Sequence, residues 1–199
     1  AWYQASSCPE ATAWFAKAME LNDKESGTPR ALLRRSACQL RDNNVREGRE
    51  TLMQLWVRFA HTVEAKEAEV LLASNLGGEP WVVQPSERLA RAQVYLGQSF
   101  HAEAVEELRK FLAADPKSPR RAEAKLKLGI ARVRLKQYDE ARETFHALVK
   151  GGGTESHEAT VWLARVYLRL GQGDKLLDLA RTLPTSSLSA EQKGQITLF

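Results

Sequence analysis

The sequence predicts an all-α fold, an α-α superhelix of about ten to eleven helices that pack as successive antiparallel hairpins. Helix formers dominate the 199 residues, and strand-like alternation of apolar and polar residues is almost absent. Residues that could sit where paired helices meet recur at Gly48, Ala104, Ala141 and Leu176. The last two separations are 37 and 35 residues. A repeat in the mid-thirties is typical of arrays of helical hairpins.

The first 84 residues are predicted to form irregular helical hairpins. Pro9 suits the first turn of a helix, and Thr28 can cap the next one, with Pro29 in its first turn. Residues 76–85 contain two glycines and two prolines, a combination that cannot continue a helix. The predicted helices in this part cover residues 11–21, 29–40, 45–60 and 63–73.

Residues 85–199 are predicted to form more regular hairpins, continuous with the first part in one solenoid. Ser86 can cap the first helix of this part. The three glycines at 151–153 end its fourth helix. A further helix is expected after Ser187. Because solenoids normally shield their ends, the missing polar cap at Phe199 predicts a fragment of a longer protein. The predicted helices cover residues 87–96, 102–114, the stretch from 119 to a turn at 136–137, 138–150, 155–170 and 174–183.

The composition, 43% hydrophobic and 27% charged, fits a soluble folded protein. No uncharged apolar run approaches the roughly 18 residues of a membrane-spanning helix. No nucleophile elbow or phosphate loop is present. The four histidines lack metal-ligand spacing; they are His61, His101, His146 and His157. We therefore predict no catalytic residue, no metal site and no cofactor.

Basic residues concentrate between Lys117 and Lys136, where eight of them face a single acid, Glu123, although the whole chain has a net charge of only +4. On a helix they form two stripes. This surface could contact an anionic polymer or an acidic partner domain; the alternative is a solvated face. Nucleic acid is not expected, since no aromatic residues are interleaved for base stacking. The candidate contacts are Arg121, Lys125, Arg132 and Lys136 on one stripe, and Arg120, Lys127 and Arg134 on the other.

Two cysteines, Cys8 and Cys38, lie in the first fifth of the chain. If the first two helices are antiparallel, these residues come near each other, and a disulfide could form in an oxidising compartment. Two buried free thiols are the alternative.

The tryptophans could indicate a sugar-binding platform, but most of them lie beside apolar neighbours within predicted helices. Packing between hairpins is therefore the expected role of Trp14, Trp56 and Trp162. Trp81 stands in the loop before Pro85, where it could pack over the neighbouring hairpin or contact a partner.

Residues 122–153 resemble a tetratricopeptide-type helix–turn–helix. The resemblance rests on Leu128-Gly129, on Tyr138 to Ala141 and on Phe145. It implies a curved scaffold of stacked hairpins rather than a ready-made active site.

Residues 52–183 also resemble the α-superhelical region of soluble lytic transglycosylases. The similar features are a short helix, the glycine-proline break, and helices carrying "ERLARA" and then "EAVEELRKFL". The resemblance implies a parent enzyme that cleaves the glycan of peptidoglycan in the periplasm by intramolecular attack, without a cofactor. This chain would then scaffold the catalytic domain and steer the polymer. The family's Glu-Ser and Gly-Leu-Met-Gln motifs find only partial counterparts in Glu25-Ser26 and Leu52-Met53-Gln54, where Thr51 replaces the glycine, so Glu25 is not assigned as an acid.

Three functions follow as hypotheses. The first is the superhelical region of such an enzyme, whose partners are a catalytic domain in the same chain and peptidoglycan. The second is a free-standing repeat adaptor for cell-envelope assembly that binds a peptide or helix of another protein in its groove. The third is a nucleic-acid binder, which the modest charge disfavours. The expected location is the periplasm or cell envelope, with the cytoplasm as the alternative.

Overall fold

The computed structural model describes residues 8, 17, 28–78 and 80–182. Those residues contain nine α-helices, one short 3-10 turn at Leu76–Gly78 and no strand. The helices are α1 (Thr28–Arg41), α2 (Val45–Arg58), α3 (Val63–Ala73), α4 (Pro85–Gly97), α5 (His101–Ala114), α6 (Arg121–Arg134), α7 (Tyr138–Gly151), α8 (Thr154–Arg169) and α9 (Gly173–Thr182).

The all-α prediction is confirmed. Nine helices in the described residues lie slightly below the predicted ten to eleven. The helix predicted over 11–21, the one after Ser187, Trp14, the Glu25-Ser26 pair and Phe199 lie outside the described residues, although Cys8 and Lys17 are themselves helical. No helix in the described ranges is both long enough and apolar enough to cross a membrane.

Most helix ends lie within two residues of their predicted positions, and α3 matches its predicted bounds. The predicted cap at Ser86 is wrong. Helix α4 begins at Pro85 after Gln84, and the backbone N–H of Gln84 donates to the Glu87 carboxylate at 2.7 Å. That hydrogen bond satisfies the backbone N–H of the residue before the helix. The helix therefore begins at Pro85 rather than after a cap at Ser86.

The start of α6 also differs from the Ser118-Pro119 prediction. The N–H of Arg121 donates to the carbonyl of Ser118 at 3.0 Å, which closes a turn before the helix begins at Arg121. At the other end Lys136 adopts φ 61°, and the N–H of Gln137 reaches the carbonyl of Arg132 at 2.9 Å. This left-handed closure ends α6 and turns the chain into α7, as the predicted turn required.

The chain divides into two compact units, Ala1–Gln98 and Ser99–Phe199. The predicted division at residue 85 and the single continuous solenoid stay predictions. In the first unit α1 packs on α2 and α3, and α2 packs on α3 and α4. The core of this unit consists of buried side chains from its first three helices: Leu32, Leu52, Leu55, Trp56, Ala68 and Leu72.

A buried arginine fastens α4 to α2 and α3. Arg91 is only 4% exposed, donates to the carbonyl of Trp56 at 2.6 Å and to the Tyr95 hydroxyl at 2.8 Å, and lies 3.7 Å from the Glu69 carboxylate. Its guanidinium also stands 3.9 Å from the Trp56 ring centroid. The same Glu69 carboxylate accepts the indole N–H of Trp56 at 3.1 Å. One cation therefore joins three helices of this unit.

In the second unit each helix from α5 to α9 packs against the next, and α6 also contacts α8. The core runs through α6, α7 and α8, and its members are Leu126, Ala141, Phe145, Leu148, Ala159, Leu163, Val166 and Tyr167. Gly129 lies against the Phe145 ring so closely that a Cβ there would be 2.5 Å from the nearest ring carbon. The Leu128-Gly129 and Phe145 spacing is thus explained by direct contact of α6 with α7.

Candidate partner-binding surface

The buried positions of α6 recur in α8 with an offset of 35 residues. Each buried residue of α6 has a buried counterpart in α8. The pairs are Ala124 and Ala159, Leu126 and Val161, Leu128 and Leu163, Gly129 and Ala164, and Ala131 and Val166. Because the two helices also contact each other, positions related by this offset lie side by side.

The same offset pairs side chains that remain at least partly exposed. We call this set the α6–α8 surface: Lys127 beside Trp162, Ile130 beside Arg165, and Arg134 beside Arg169. Arg134 and Arg169 are exposed, whereas the other four are half-buried.

The predicted stripe of Arg120, Lys127 and Arg134 is partly neutralised by Glu123. The Arg120 guanidinium donates to both Glu123 oxygens at 2.8 and 3.0 Å, and the Lys127 ammonium lies 3.7 Å away. Hydrogen bonding to Arg120 lowers the pKa of Glu123, and the same contact raises the pKa of Arg120. Arg134, at the far end, has no hydrogen-bond or ion-pair partner among the described residues.

The second predicted stripe is largely occupied by contacts inside the protein. Arg121 donates to the carbonyl of Leu112 at 3.2 Å, which ties α6 to the end of α5. Arg132 donates to the Thr144 hydroxyl at 2.7 Å and so ties α6 to α7. Lys125 is half-buried between these arginines, and Lys136 lies in the turn after α6. The two arginines hold helices together, and a contact of this stripe with a polymer stays a prediction.

The α8 half of the surface was not predicted from the sequence. Trp162 stacks on Phe145 with 6.3 Å between ring centroids and 12° between planes, and the Arg165 guanidinium lies 4.8 Å from its centroid. The indole N–H of Trp162 donates to Glu158 at 3.4 Å. The signal that could have found these residues is the offset of 35, which places them beside the basic window of α6.

Charge is distributed unevenly along the two helices. The segments 127–136 and 162–171 together contain six basic residues and no acidic residue. The acids Glu123 and Glu158 stand nearer the N-terminal ends, at equivalent positions. The C-terminal halves of α6 and α8 therefore form a positive region beside the apolar side chains of Ile130 and Trp162.

The first unit contains a separate concavity of about 1020 Å³ between the start of α2 and the loop that precedes α4. Its lining combines apolar side chains, among them Met53, Leu72 and Trp81, with polar and charged ones such as Arg49 and Glu87. Arg49 fixes the loop by donating to the carbonyls of Leu76 at 2.8 Å and Pro80 at 3.3 Å.

Trp81 packs over the neighbouring helix α2, which is one of the two roles predicted for it. Its ring meets Trp56 edge to face with 4.9 Å between centroids, and its N–H lies 3.0 Å from the Met53 sulfur. Gly77, at φ 73°, lies against Val45, so a Cβ would come within 2.7 Å of the valine side chain. The loop is thus held from both ends.

Cys8 and Cys38 are joined in the structure, with 5.2 Å between their Cα atoms and only 3% of each residue exposed. Their redox state in the cell stays a prediction. Among the described residues no group of histidine, cysteine or acidic side chains is arranged to hold a metal ion. His146 forms a hydrogen bond with the Tyr167 hydroxyl, and burial raises the pKa of Tyr167.

One protein family matches a stretch of the chain that begins within α4 and ends with α9. The model of the tetratricopeptide repeat matches residues 89–155 and again residues 126–182. Residues 89–182 are therefore similar to tetratricopeptide repeats. The resemblance drawn from residues 122–153 is therefore confirmed, and the offset of 35 between α6 and α8 is the spacing of successive repeats.

The solved structures that match this chain share little sequence with it. A mutant of MamA matches with 18% identity over 96% of this chain and 94% of its own, at a TM-score of 0.49. A putative kinesin light chain of Podosopora anserina with nearly identical TPR-like repeats matches with 20% identity over 98% and 90%, at 0.45. YrrB, described as a TPR protein with an unusual peptide-binding site, matches with 16% identity over 86% and 74%, at 0.46. No curated protein sequence matches, and none of these comparisons points to a lytic transglycosylase.

Proposed function

We propose that this chain is a non-catalytic scaffold whose α6–α8 surface binds a segment of another protein. The observation that carries the proposal is the offset of 35 residues between two packed helices, which pairs Lys127, Ile130 and Arg134 of α6 with Trp162, Arg165 and Arg169 of α8. Half-buried apolar side chains flanked by cations provide both buried area and orientation for a partner. A stack of hairpins supplies such an extended surface without needing a reaction centre.

Site-specific photocrosslinking in the native organism tests this proposal. A photoreactive residue is placed at Ile130, within the surface on α6, or at Arg169, within the surface on α8. Matched controls carry it at Lys110 and Lys150, which are exposed on α5 and α7. We expect one partner protein to be captured at both surface positions and at neither control. Capture equal at all four positions, or capture of nothing, contradicts the proposal.

We further propose an oxidising compartment, the periplasm or cell envelope, with the cytoplasm as the alternative. The support is the placement of Cys8 and Cys38 at bonding distance in a buried site. Alkylation of the protein in intact cells before any reduction gives the test. Two modified thiols after unfolding contradict this location, and none supports it.

Two narrower functions remain as proposals within this scaffold role. One is the superhelical region of a peptidoglycan lytic transglycosylase, supported by the helix pattern from Leu52 to Leu183. The other is an adaptor in envelope assembly. Reading the gene beyond Phe199 separates them, because the first requires Glu-Ser and Gly-Leu-Met-Gln motifs in a following domain and the second requires that they be absent.

A further inference from the structure

We infer that the segment bound by the α6–α8 surface is acidic and carries a large apolar side chain among its carboxylates. This inference rests on the proposed function and specifies the chemistry of the partner. It goes beyond the seven candidate contacts predicted between Arg120 and Lys136, because half of the surface belongs to α8.

The charge pattern is the first argument. Arg134 and Arg169 occupy equivalent positions at the C-terminal ends of α6 and α8, and both are exposed. Neither has a hydrogen-bond or ion-pair partner among the described residues. Neighbouring packed helices lie roughly 8–10 Å apart. Carboxylates about three residues apart in an extended chain, which rises roughly 3.3 Å per residue, match that spacing.

The nearby acids do not satisfy these arginines. Glu123 is engaged by Arg120 and Lys127, and Glu158 accepts the indole N–H of Trp162. On α7, which also packs against both helices, Asp139 is paired with Arg142 at 2.9 Å. A partner that supplies carboxylates would therefore complete a positive region that the described part of the chain leaves uncompensated.

The apolar residues are the second argument. Ile130 and Trp162 are half-buried and pack against the core of the second unit, so their positions are fixed by neighbours. Along each helix they lie between an acid near the N-terminal end, Glu123 or Glu158, and an exposed arginine at the C-terminal end. A bound leucine or phenylalanine would cover them, and such preordered apolar contacts add affinity that exposed ion pairs alone do not supply.

A protein segment fits this surface better than a nucleic acid does. Single-stranded nucleic acids need aromatic rings whose faces are open to bases. The one aromatic ring of the surface, that of Trp162, already stacks on Phe145 and has the Arg165 guanidinium over it. The cations of this surface could contact the phosphates of a nucleic acid, but no aromatic ring of the surface is open for its bases to stack on.

Fluorescence anisotropy with the full chain tests the inference. The probes are a labelled peptide of aspartate and glutamate with a central leucine and phenylalanine, the same peptide with lysine replacing every acid, and a single-stranded DNA of equal charge. We expect only the acidic peptide to bind well, with affinity that falls as salt is raised. In Arg134→Glu/Arg169→Glu we expect its affinity to fall about tenfold or more.

The matched control is Lys110→Glu/Lys150→Glu, which changes the net charge equally on exposed positions of α5 and α7. It should alter the affinity by less than about twofold. Circular dichroism verifies folding, and Arg134→Gln/Arg169→Gln replaces the reversal variant if that one unfolds. Absence of acidic-peptide binding, an equal effect of the control, or tighter binding of DNA overturns the inference. If crosslinking from Ile130 captures a partner through a segment without acids, the proposed function survives and this inference fails.

Discussion

At the scale of single residues, Arg91 decides how the first unit is assembled. It lies in the "ERLARA" segment that suggested a family resemblance, yet the structure assigns it a local task. Its guanidinium contacts the Trp56 carbonyl, the Tyr95 hydroxyl and the Glu69 carboxylate. A helical pattern with an arginine at an inward position is therefore explained by these three partners rather than by a ligand.

Arg91→Met should lower the free energy of unfolding by about 3 kcal/mol, because it leaves buried hydrogen-bonding groups without their donor. The matched variant is Arg46→Met. It breaks an exposed pair with Glu50, in which the two side chains are 87% and 64% exposed, and should cost at most about 0.5 kcal/mol. Urea denaturation of the full chain measures both. Similar losses in the two variants would show that Arg91 does not fasten α4.

At the scale of helices, the sequence was informative wherever local patterns decide the structure. The bounds of α3, the break at residues 76–85 and the turn before Tyr138 follow from apolar spacing, glycine, proline and turn residues. The loop before α4 was different. Its path over Met53 and Trp56 depends on contacts about 28 residues away in the chain, and no local pattern encodes such contacts.

Gly129 and Gly97 provide a matched pair of helix substitutions. A Cβ at Gly129 would press on the Phe145 ring, whereas a Cβ at Gly97 meets nothing within 4 Å. We expect Gly129→Ala to destabilise the protein by about 1–3 kcal/mol through overpacking. Gly97→Ala should be neutral or stabilise it by up to about 1 kcal/mol through helix propensity.

Thermal and urea unfolding of both glycine variants checks the contact of α6 with α7. Phe145→Leu opens space beside Gly129. In that background Gly129→Ala should lower the free energy of unfolding by less than it does in the wild type. An unchanged cost in that background would mean that the Phe145 ring is not what makes glycine necessary.

At the scale of the whole molecule, the fold class and repeat spacing could be derived from the sequence, but only half of the candidate surface could. Arg165, Arg169 and Trp162 lie about 30 residues beyond the window in which basic residues were sought. Their proximity to that window becomes visible only when the offset of 35 is applied to exposed as well as buried positions. The partners of Arg121 and Arg132 were also missed, because a helical projection shows which stripe a residue shares but not which neighbouring helix it meets.

The Cys8–Cys38 link ties the start of the chain to α1 across a separation of 30 residues. Closing a loop of this length should stabilise the protein by about 3–4 kcal/mol. We therefore expect Cys8→Ala/Cys38→Ala to unfold at lower urea concentration than the oxidised wild type. Because both cysteines are buried, reductant should act on the wild type slowly unless urea is present.

Reductant leaves the double-alanine variant unchanged and so serves as the control for this measurement. A wild type whose stability does not respond to complete reduction would show that the bond contributes nothing to folding.

The shared burial pattern of α6 and α8 has a consequence for how such a chain can change over generations. Since α6 and α8 bury equivalent positions, duplication or loss of one 35-residue module between them would preserve the kind of packing contact at that junction. The peptide segment that such a surface can bind would then become longer or shorter by the length that one module contacts. The length of the bound segment could thus change while the packing of α6 on α8 stays the same.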